Sequence, residues 1–186
     1  MFIQTEVTPN PATLKFLPGN TVLESGTADF PSKDISDKSP LASRIFENRG
    51  VTAVFLGTDF ITVTKSEDSD WDHIKTAILG SIMAHYQSGQ PAVSTESVES
   101  KHADHSEEDS EVVTQIKELL DTRVRPAVAQ DGGDIVFHGF DSGIVYLHMQ
   151  GACAGCPSST LTLKMGIENL LRHYVPEVLE VRPVAI

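Results

Sequence analysis

The sequence predicts an α+β protein in which two small α+β domains are joined by a flexible acidic linker. Before residue 88 and after residue 110, short β-rich runs alternate with segments whose apolar residues recur every three to four positions. Between them, residues 88–110 contain six serines, six acidic residues and only two large apolar residues, too few to offset the entropy of an ordered chain. The predicted organisation is a domain over residues 1–87, a linker over 88–110 and a domain over 111–186.

The first domain begins with short strands. Residues 2–7 alternate well enough for a strand, and residues 14–17 and 22–23 are predicted as two more. The two prolines within residues 8–12 predict a turn. Residues 24–38 are polar and rich in turn-forming residues, so we expect them to form a surface loop.

Helix and hairpin signals follow. Ser39 is a favourable N-cap, Pro40 suits the first helical position and Gly50 is expected to end the helix. Residues 51–56 and 60–64 are β-rich runs separated by a short turn, which predicts a hairpin. A second helix is indicated by residues that recur at helical spacing: Trp71, Ile74, Ile78, Ile82 and Tyr86.

The second domain is predicted to contain a helix, a hairpin, the cysteine loop, a helix and a strand. The first helix is predicted to start among the acidic residues Glu107, Glu108, Asp109 and Glu111. It is expected to kink or restart near Arg125, because Pro126 lacks a backbone N–H. The last strand is expected to run parallel to the second, since a helix joins them. The remaining elements are predicted over residues 135–140, 144–149, 158–174 and 178–183.

Charge and composition exclude several classes of partner. The net charge is −12, and each of the three predicted segments is acidic, which argues against nucleic acid and anionic membrane surfaces. No run approaches the roughly 20 apolar residues of a membrane-spanning helix. The first residues also lack the features of a secretory signal. We therefore expect a cytoplasmic protein, or a mitochondrial matrix protein if the chain is a trimmed organellar form.

Both cysteines of the chain lie in one short motif, residues 151–159. Cys153 and Cys156 are three positions apart, so they can converge on one metal or close a disulfide. The residues around them are small, which lets backbone N–H groups approach the sulfurs. Pro157 suits the first helical position and places Cys156 at the N-cap. There the helix dipole favours thiolate, the form that binds metal.

Three interpretations of the cysteine pair remain open at this point: chance, a thiol–disulfide oxidoreductase, or a metal site. Thioredoxin-type motifs also sit at a helix start, but they follow the first strand of a βαβ pattern rather than a hairpin near the end of the chain. Zinc and iron–sulfur sites use about four ligands, and one chain offers two cysteines. A two-fold dimer would supply four thiolates at an exposed axis, which suits a cluster that is passed on.

Four histidines are weaker candidates for metal ligands. His138 and His148 lie on predicted strands, where a lone histidine is more often an ordinary surface or core residue. His102 and His105 lie in the predicted linker, which offers no preset ligand geometry. We assign a ligand role to none of them.

The sequence Asp-Gly-Gly-Asp at residues 131–134 predicts a turn with unusual backbone angles. Turn chemistry explains the two glycines, or else they let this turn pack close to the cysteine loop. No ligand role is assigned to them.

The chain resembles the NifU-like (Nfu) iron–sulfur scaffold family over nearly everything except the linker. In the second domain the resemblance lies in Arg125-Pro126 and residues 131–134 and 151–159, and in the first domain in residues 8–19 and 39–46. It implies an Nfu N-terminal-type domain over residues 1–87 and a NifU C-terminal-type domain over residues 111–186. Recognition of client proteins is a hypothesis for the role of the former.

The resemblance implies a carrier rather than an enzyme. Members of the family assemble or carry a cluster, usually [4Fe-4S], between two chains and deliver it to apo-proteins. Carried over to this sequence, Cys153 and Cys156 are the cluster and metal ligands, and no catalytic residue is assigned. The implied partners are a second copy of the chain, an upstream cluster donor and apo iron–sulfur clients. A [2Fe-2S] cluster and a thiol–disulfide oxidoreductase are the alternatives.

Overall fold

The structure, a computed structural model, describes residues 1–94, 111–154 and 157–184, without the side chains of residues 157–160. The chain forms two compact units, Met1–Ser100 and Lys101–Ile186. Each contains helices and a sheet, which confirms the predicted α+β class. Most of the predicted linker lies outside the described residues, with His102 and His105, so the domain boundaries stay a prediction. No helix of the described ranges combines the length and apolar character needed to cross a membrane.

The first unit contains a five-stranded sheet and two helices. Its strands are ordered β1-β2-β5-β4-β3, and all neighbouring pairs are antiparallel. The strands are β1 Gln4–Val7, β2 Thr13–Leu17, β3 Ala28–Phe30, β4 Val51–Leu56 and β5 Ile61–Lys65. The helices are α1 Pro40–Phe46 and α2 Trp71–Ser88.

The helices of the first unit begin where the sequence predicts. The backbone N–H of Ala42 donates to Ser39 Oγ at 2.9 Å, which confirms Ser39 as the N-cap of α1. Helix α2 ends at Gly89, whose φ of 69° lies in the left-handed region that favours glycine. Ile45 of α1, Ile78 and Ile82 of α2 are fully buried in one core with the sheet.

Three predictions in the first unit were wrong. Helix α1 ends at Phe46 with Glu47 as its C-cap, so Gly50, whose φ is 99°, lies in the turn before β4 and does not end the helix. Part of the predicted loop 24–38 is strand β3, which pairs with β4, and Lys33–Lys38 is a 3-10 helix. A polar run becomes a strand here because β4 offers a pairing edge and Phe30 enters the core. Residues 22–23, predicted as a strand, lie in a loop, where Val22 N donates to Thr58 O. Val22 nevertheless packs in the core.

The residues directly after α2 pack on the first unit. Ser94 N donates to Lys38 O at 2.9 Å, and Ser39 Oγ donates to Ala92 O. Ala92 and Val93 are partly buried against the core. The first residues of the predicted linker therefore extend the packing of α1.

The second unit contains a three-stranded sheet ordered β6-β7-β8. Strands β6 and β7 form the predicted antiparallel hairpin, and β8 runs parallel to β7, as the helical crossover predicts. The strands are β6 Gly133–Asp141, β7 Ile144–Gly151 and β8 Glu180–Val184. The helices are α3 Glu111–Leu119, α4 Arg125–Gln130 and α5 Pro157–Tyr174.

The predicted break in the first helix of this unit is confirmed. A π-helical turn, Leu120–Val124, separates α3 from α4, and Arg125 N donates to Leu120 O. Pro126 has no N–H to donate, so the wider turn absorbs its missing bond. Arg125 thus lies at the start of α4, and the glycine turn that follows α4 leads into β6.

Candidate metal centre

The cysteine loop starts where β7 ends. Gly151, the last residue of β7, has a φ of 61°, a conformation that favours glycine. The chain then turns back on itself: Cys153 N donates to Gln150 O at 3.3 Å, and Ala154 N donates to Gly151 O at 3.1 Å. Cys153 is therefore held by the turn at the end of a strand. Cys156 lies outside the described residues, so its predicted place at the N-cap is not described.

The double-glycine turn packs directly against this loop. Ala152 N donates to Gly132 O at 3.1 Å, and Gly133 pairs with Gly151 across the sheet. A Cβ on Gly133 would lie 2.4 Å from Cys153 Sγ and 2.9 Å from both Cys153 N and Gln150 O. Turn chemistry explains Gly132, whose φ is 82°, and close packing explains Gly133.

A partly buried ion pair supports the glycine turn. Arg125 Nε donates to Asp134 Oδ1 at 2.9 Å, and Arg125 Nη2 donates to Asp134 Oδ2 at 2.9 Å. This bidentate geometry is the strong form of the arginine–carboxylate contact, and it raises the pKa of Arg125 above its ordinary value. Both residues lie in motifs that carry the family resemblance, but nine positions separate them, so their pairing could not be predicted from the sequence.

Cys153 lies in an environment that disfavours its thiolate. The residue is 6% exposed. Burial, followed by the charges of Asp131 and Asp134, raises the pKa of Cys153 to about 12. The thiolate-favouring environment was predicted for Cys156, which lies outside the described residues, so that prediction stays open, while Cys153 favours its thiol form. A cation that bound here would take the place of the thiol proton, since a metal-ligating cysteine is deprotonated.

The histidines add no ligand set to the described part of this unit. His138 is exposed at an irregularity of the β6–β7 pairing. His148 is half-buried, with Nδ1 3.3 Å from Val184 O. Within the described ranges, no group of three or more His, Cys, Asp or Glu side chains can hold a metal ion.

The raised pKa of Cys153 predicts slow alkylation of the metal-free protein. In a Cys156→Ser variant, Cys153 should react with iodoacetamide about 1000-fold more slowly at pH 8 than a thiol with a pKa near 9. The rate should rise about tenfold per pH unit to beyond pH 10, because the thiolate remains the minor form below the raised pKa. Mass spectrometry of the labelled protein at successive times measures the rate of alkylation.

The same variant unfolded in denaturant is the control, since its thiol should return to an ordinary pKa. A folded protein whose alkylation rate levels off near pH 9 would contradict the raised pKa.

Two family models match the chain, one to each unit. Residues 3–89 match a model described as the scaffold protein Nfu/NifU N terminal, and residues 116–182 match the NifU-like domain. These matches place the cysteine motif in the NifU-like domain.

Curated relatives match nearly all of the chain. NifU-like protein 4, mitochondrial, of Arabidopsis thaliana is 56% identical over 181 residues, which cover 96% of this chain and 64% of that protein. The human NFU1 iron-sulfur cluster scaffold homolog, mitochondrial, is 55% identical over 179 residues, which cover 96% of this chain and 70% of that protein. The chain thus spans about two thirds of the length of these relatives.

Among solved structures, a solution structure of a NifU-like protein from Saccharomyces cerevisiae is 27% identical, with a TM-score of 0.47. It covers 51% of this chain and 86% of its own. Family membership rests on the two domain models and on the identity to the curated scaffold proteins. On that evidence, the chain belongs to the NifU-like (Nfu) family of iron–sulfur cluster scaffold proteins.

Proposed function

We propose that the protein carries a [4Fe-4S] cluster between two copies of the chain and transfers it to apo-proteins. Cys153 and Cys156 of each copy are the proposed ligands. The observation that carries the proposal is the placement of Cys153 at the end of β7, against Gly133, in a chain of the scaffold family. The cluster is cargo, so no catalytic residue is assigned and turnover is not expected.

Ligand number supports a site shared by two chains. Each chain supplies two cysteines, whereas a cubane cluster is normally held by four thiolates. The described side chains offer no set of three metal-binding groups that would complete the site within one chain. A two-fold axis through the cluster brings two cysteine motifs together and supplies four thiolates.

The environment of Cys153 supports transfer by ligand exchange. A client thiolate that attacks an iron atom displaces one scaffold thiolate, so one iron–sulfur bond forms while another breaks. The released Cys153 then takes up a proton from water at neutral pH, because burial and two nearby carboxylates favour its thiol form. That protonation opposes recapture of the cluster by the scaffold.

The alternative function, thiol–disulfide exchange, requires a thiolate that attacks a disulfide. A pKa of Cys153 near 12 leaves little of that form at neutral pH. Metal-free protein that rapidly reduced a model disulfide would support the alternative and count against the carrier.

We also propose that the protein acts in mitochondria. The names of the Arabidopsis and human relatives both include the word mitochondrial. These names support the organellar alternative and give no support to the predicted cytoplasmic location.

Anaerobic reconstitution of the full chain with ferrous iron and sulfide tests the proposed cargo. We expect a brown protein with about four iron and four sulfide per two chains. A [2Fe-2S] carrier would contain about two of each, and a zinc-bridged dimer would be colourless and free of sulfide. Either result would overturn the proposed [4Fe-4S] cargo.

A further inference from the structure

We propose that Asp134, held in place by Arg125, is a positioning residue for Cys153. It acts through the adjacent residue Gly133, which packs directly against the Cys153 sulfur. The part of the inference that concerns cluster release rests on the proposed function. The positioning itself concerns the metal-free protein and stands on contacts in the second unit.

Asp134 is fixed from two sides. Arg125 donates to both of its carboxylate oxygens at 2.9 Å, and Ile135 N donates to Oδ1 at 2.8 Å. The Asp134 side chain is only 5% exposed. Charge-assisted bidentate contacts of this kind fix an orientation as well as a distance.

Arg125 is itself held. It lies at the start of α4, and its Nη1 atom donates to Asp121 Oδ1 at 3.1 Å. Asp121 belongs to the π-helical turn before α4. The guanidinium therefore ties the start of β6 to the region where the helix restarts, across the turn formed by Gly132.

Gly133 transmits this constraint to the sulfur. It is the residue directly before Asp134, and space for even one extra carbon is lacking between it and Cys153 Sγ. In a close-packed contact, a small displacement of one side changes the position of the other. Loss of the ion pair should therefore increase the mobility of Gly133 first and of the cysteine loop next.

The experiment uses Asp134→Asn in the full chain. This change removes the charge but keeps an oxygen that can accept from Ile135 N. The matched control is Glu168→Gln, which weakens an ion pair with Arg172 and a bond from Val181 N in the same unit. Val181 pairs with Val145, about 20 Å along β7 from the cysteine loop.

Amide hydrogen exchange of the metal-free protein is the first measurement. Asp134→Asn should speed exchange in peptides that cover Ala152 to Ala154 by about tenfold and leave β8 unchanged. Glu168→Gln should speed exchange in β8 and leave exchange in the cysteine loop unchanged. Unchanged exchange in the cysteine loop, or an equal rise in every peptide of the unit, would overturn the positioning role.

Loss of iron from the reconstituted protein to a chelator is the second measurement, followed by visible absorbance. Arg125→Lys keeps the carboxylate charge of Asp134 and loses the bidentate contact, so it should release iron about tenfold faster than wild type and than Glu168→Gln. Equal rates of iron release from wild type and from both variants would overturn the proposed effect of the ion pair on cluster release. If Asp134→Asn does not fold, Arg125→Lys replaces it, with the same local exchange pattern expected because lysine cannot make the bidentate contact.

The two proposals fail separately. Wild-type protein that takes up no iron and sulfide would overturn the carrier function, while the exchange pattern would still decide the positioning role. Normal wild-type loading with an unchanged cysteine loop in Asp134→Asn would overturn the positioning role alone.

Discussion

Gly133→Ala is expected to reduce cluster loading at least tenfold. The added methyl carbon would lie 2.4 Å from Cys153 Sγ, so the sulfur must move. The backbone atoms Cys153 N and Gln150 O, both 2.9 Å from the new carbon, cannot rotate away as a side chain can. Overpacking of this kind destabilises a fold by about 1–3 kcal/mol, so the second unit should also melt at a lower temperature.

Gly139→Ala is the matched control for this prediction. Gly139 lies on the same strand, and a Cβ built there meets nothing within 4 Å. Neither position has the left-handed backbone that would strain alanine. The two variants therefore differ in the space that is available to the added methyl group. Iron and sulfide content after reconstitution, with thermal unfolding, measures the effect. A Gly133→Ala protein that loaded like Gly139→Ala would show that the close contact does not matter for the cluster.

Cys153→Ser and Cys156→Ser are each expected to abolish stable cluster loading. Either change removes one thiolate per chain and hence two of the four proposed ligands per dimer. A serine hydroxyl does not ionise at neutral pH and replaces a thiolate poorly toward iron. Reconstitution and measurement of iron, sulfide and visible absorbance give the result.

The control is Ala154→Ser, which adds a hydroxyl to the same loop at an exposed position and keeps both thiols. It should load like wild type, and all three variants should keep a folded first unit. Full loading of either cysteine variant would contradict the assignment of that residue as a ligand.

Local signals predicted most of the fold. Ser39 and Pro40 at the start of α1 and the break at Pro126 act through backbone chemistry that a few residues determine. The parallel pairing of β8 with β7 followed from the helical crossover between them. Such features depend little on distant parts of the chain.

The features that were missed depend on distant contacts. Strand β3 forms because β4 offers a pairing edge and Phe30 enters the core. Neither the pairing with β4 nor the burial of Phe30 can be predicted from the polar composition of residues 24–38. Val22 has strand-like composition, yet a loop carbonyl accepts its N–H.

The site was predictable in its residue types but not in its environment. The spacing of Cys153 and Cys156 indicated a metal or redox pair, and the small residues around them indicated close backbone approach. The burial that raises the pKa of Cys153, and the contact with Gly133, arise only when the turn after α4 meets the end of β7. The Arg125–Asp134 pair depends on the same meeting.

The mass of the cluster-loaded protein under non-denaturing, anaerobic conditions tests the central claim most directly. We expect one species of two chains plus one [4Fe-4S] cluster, which separates into single chains when the iron is chelated. A single chain that carries a complete cluster would contradict the account, because its own two cysteines would then suffice to hold the cargo.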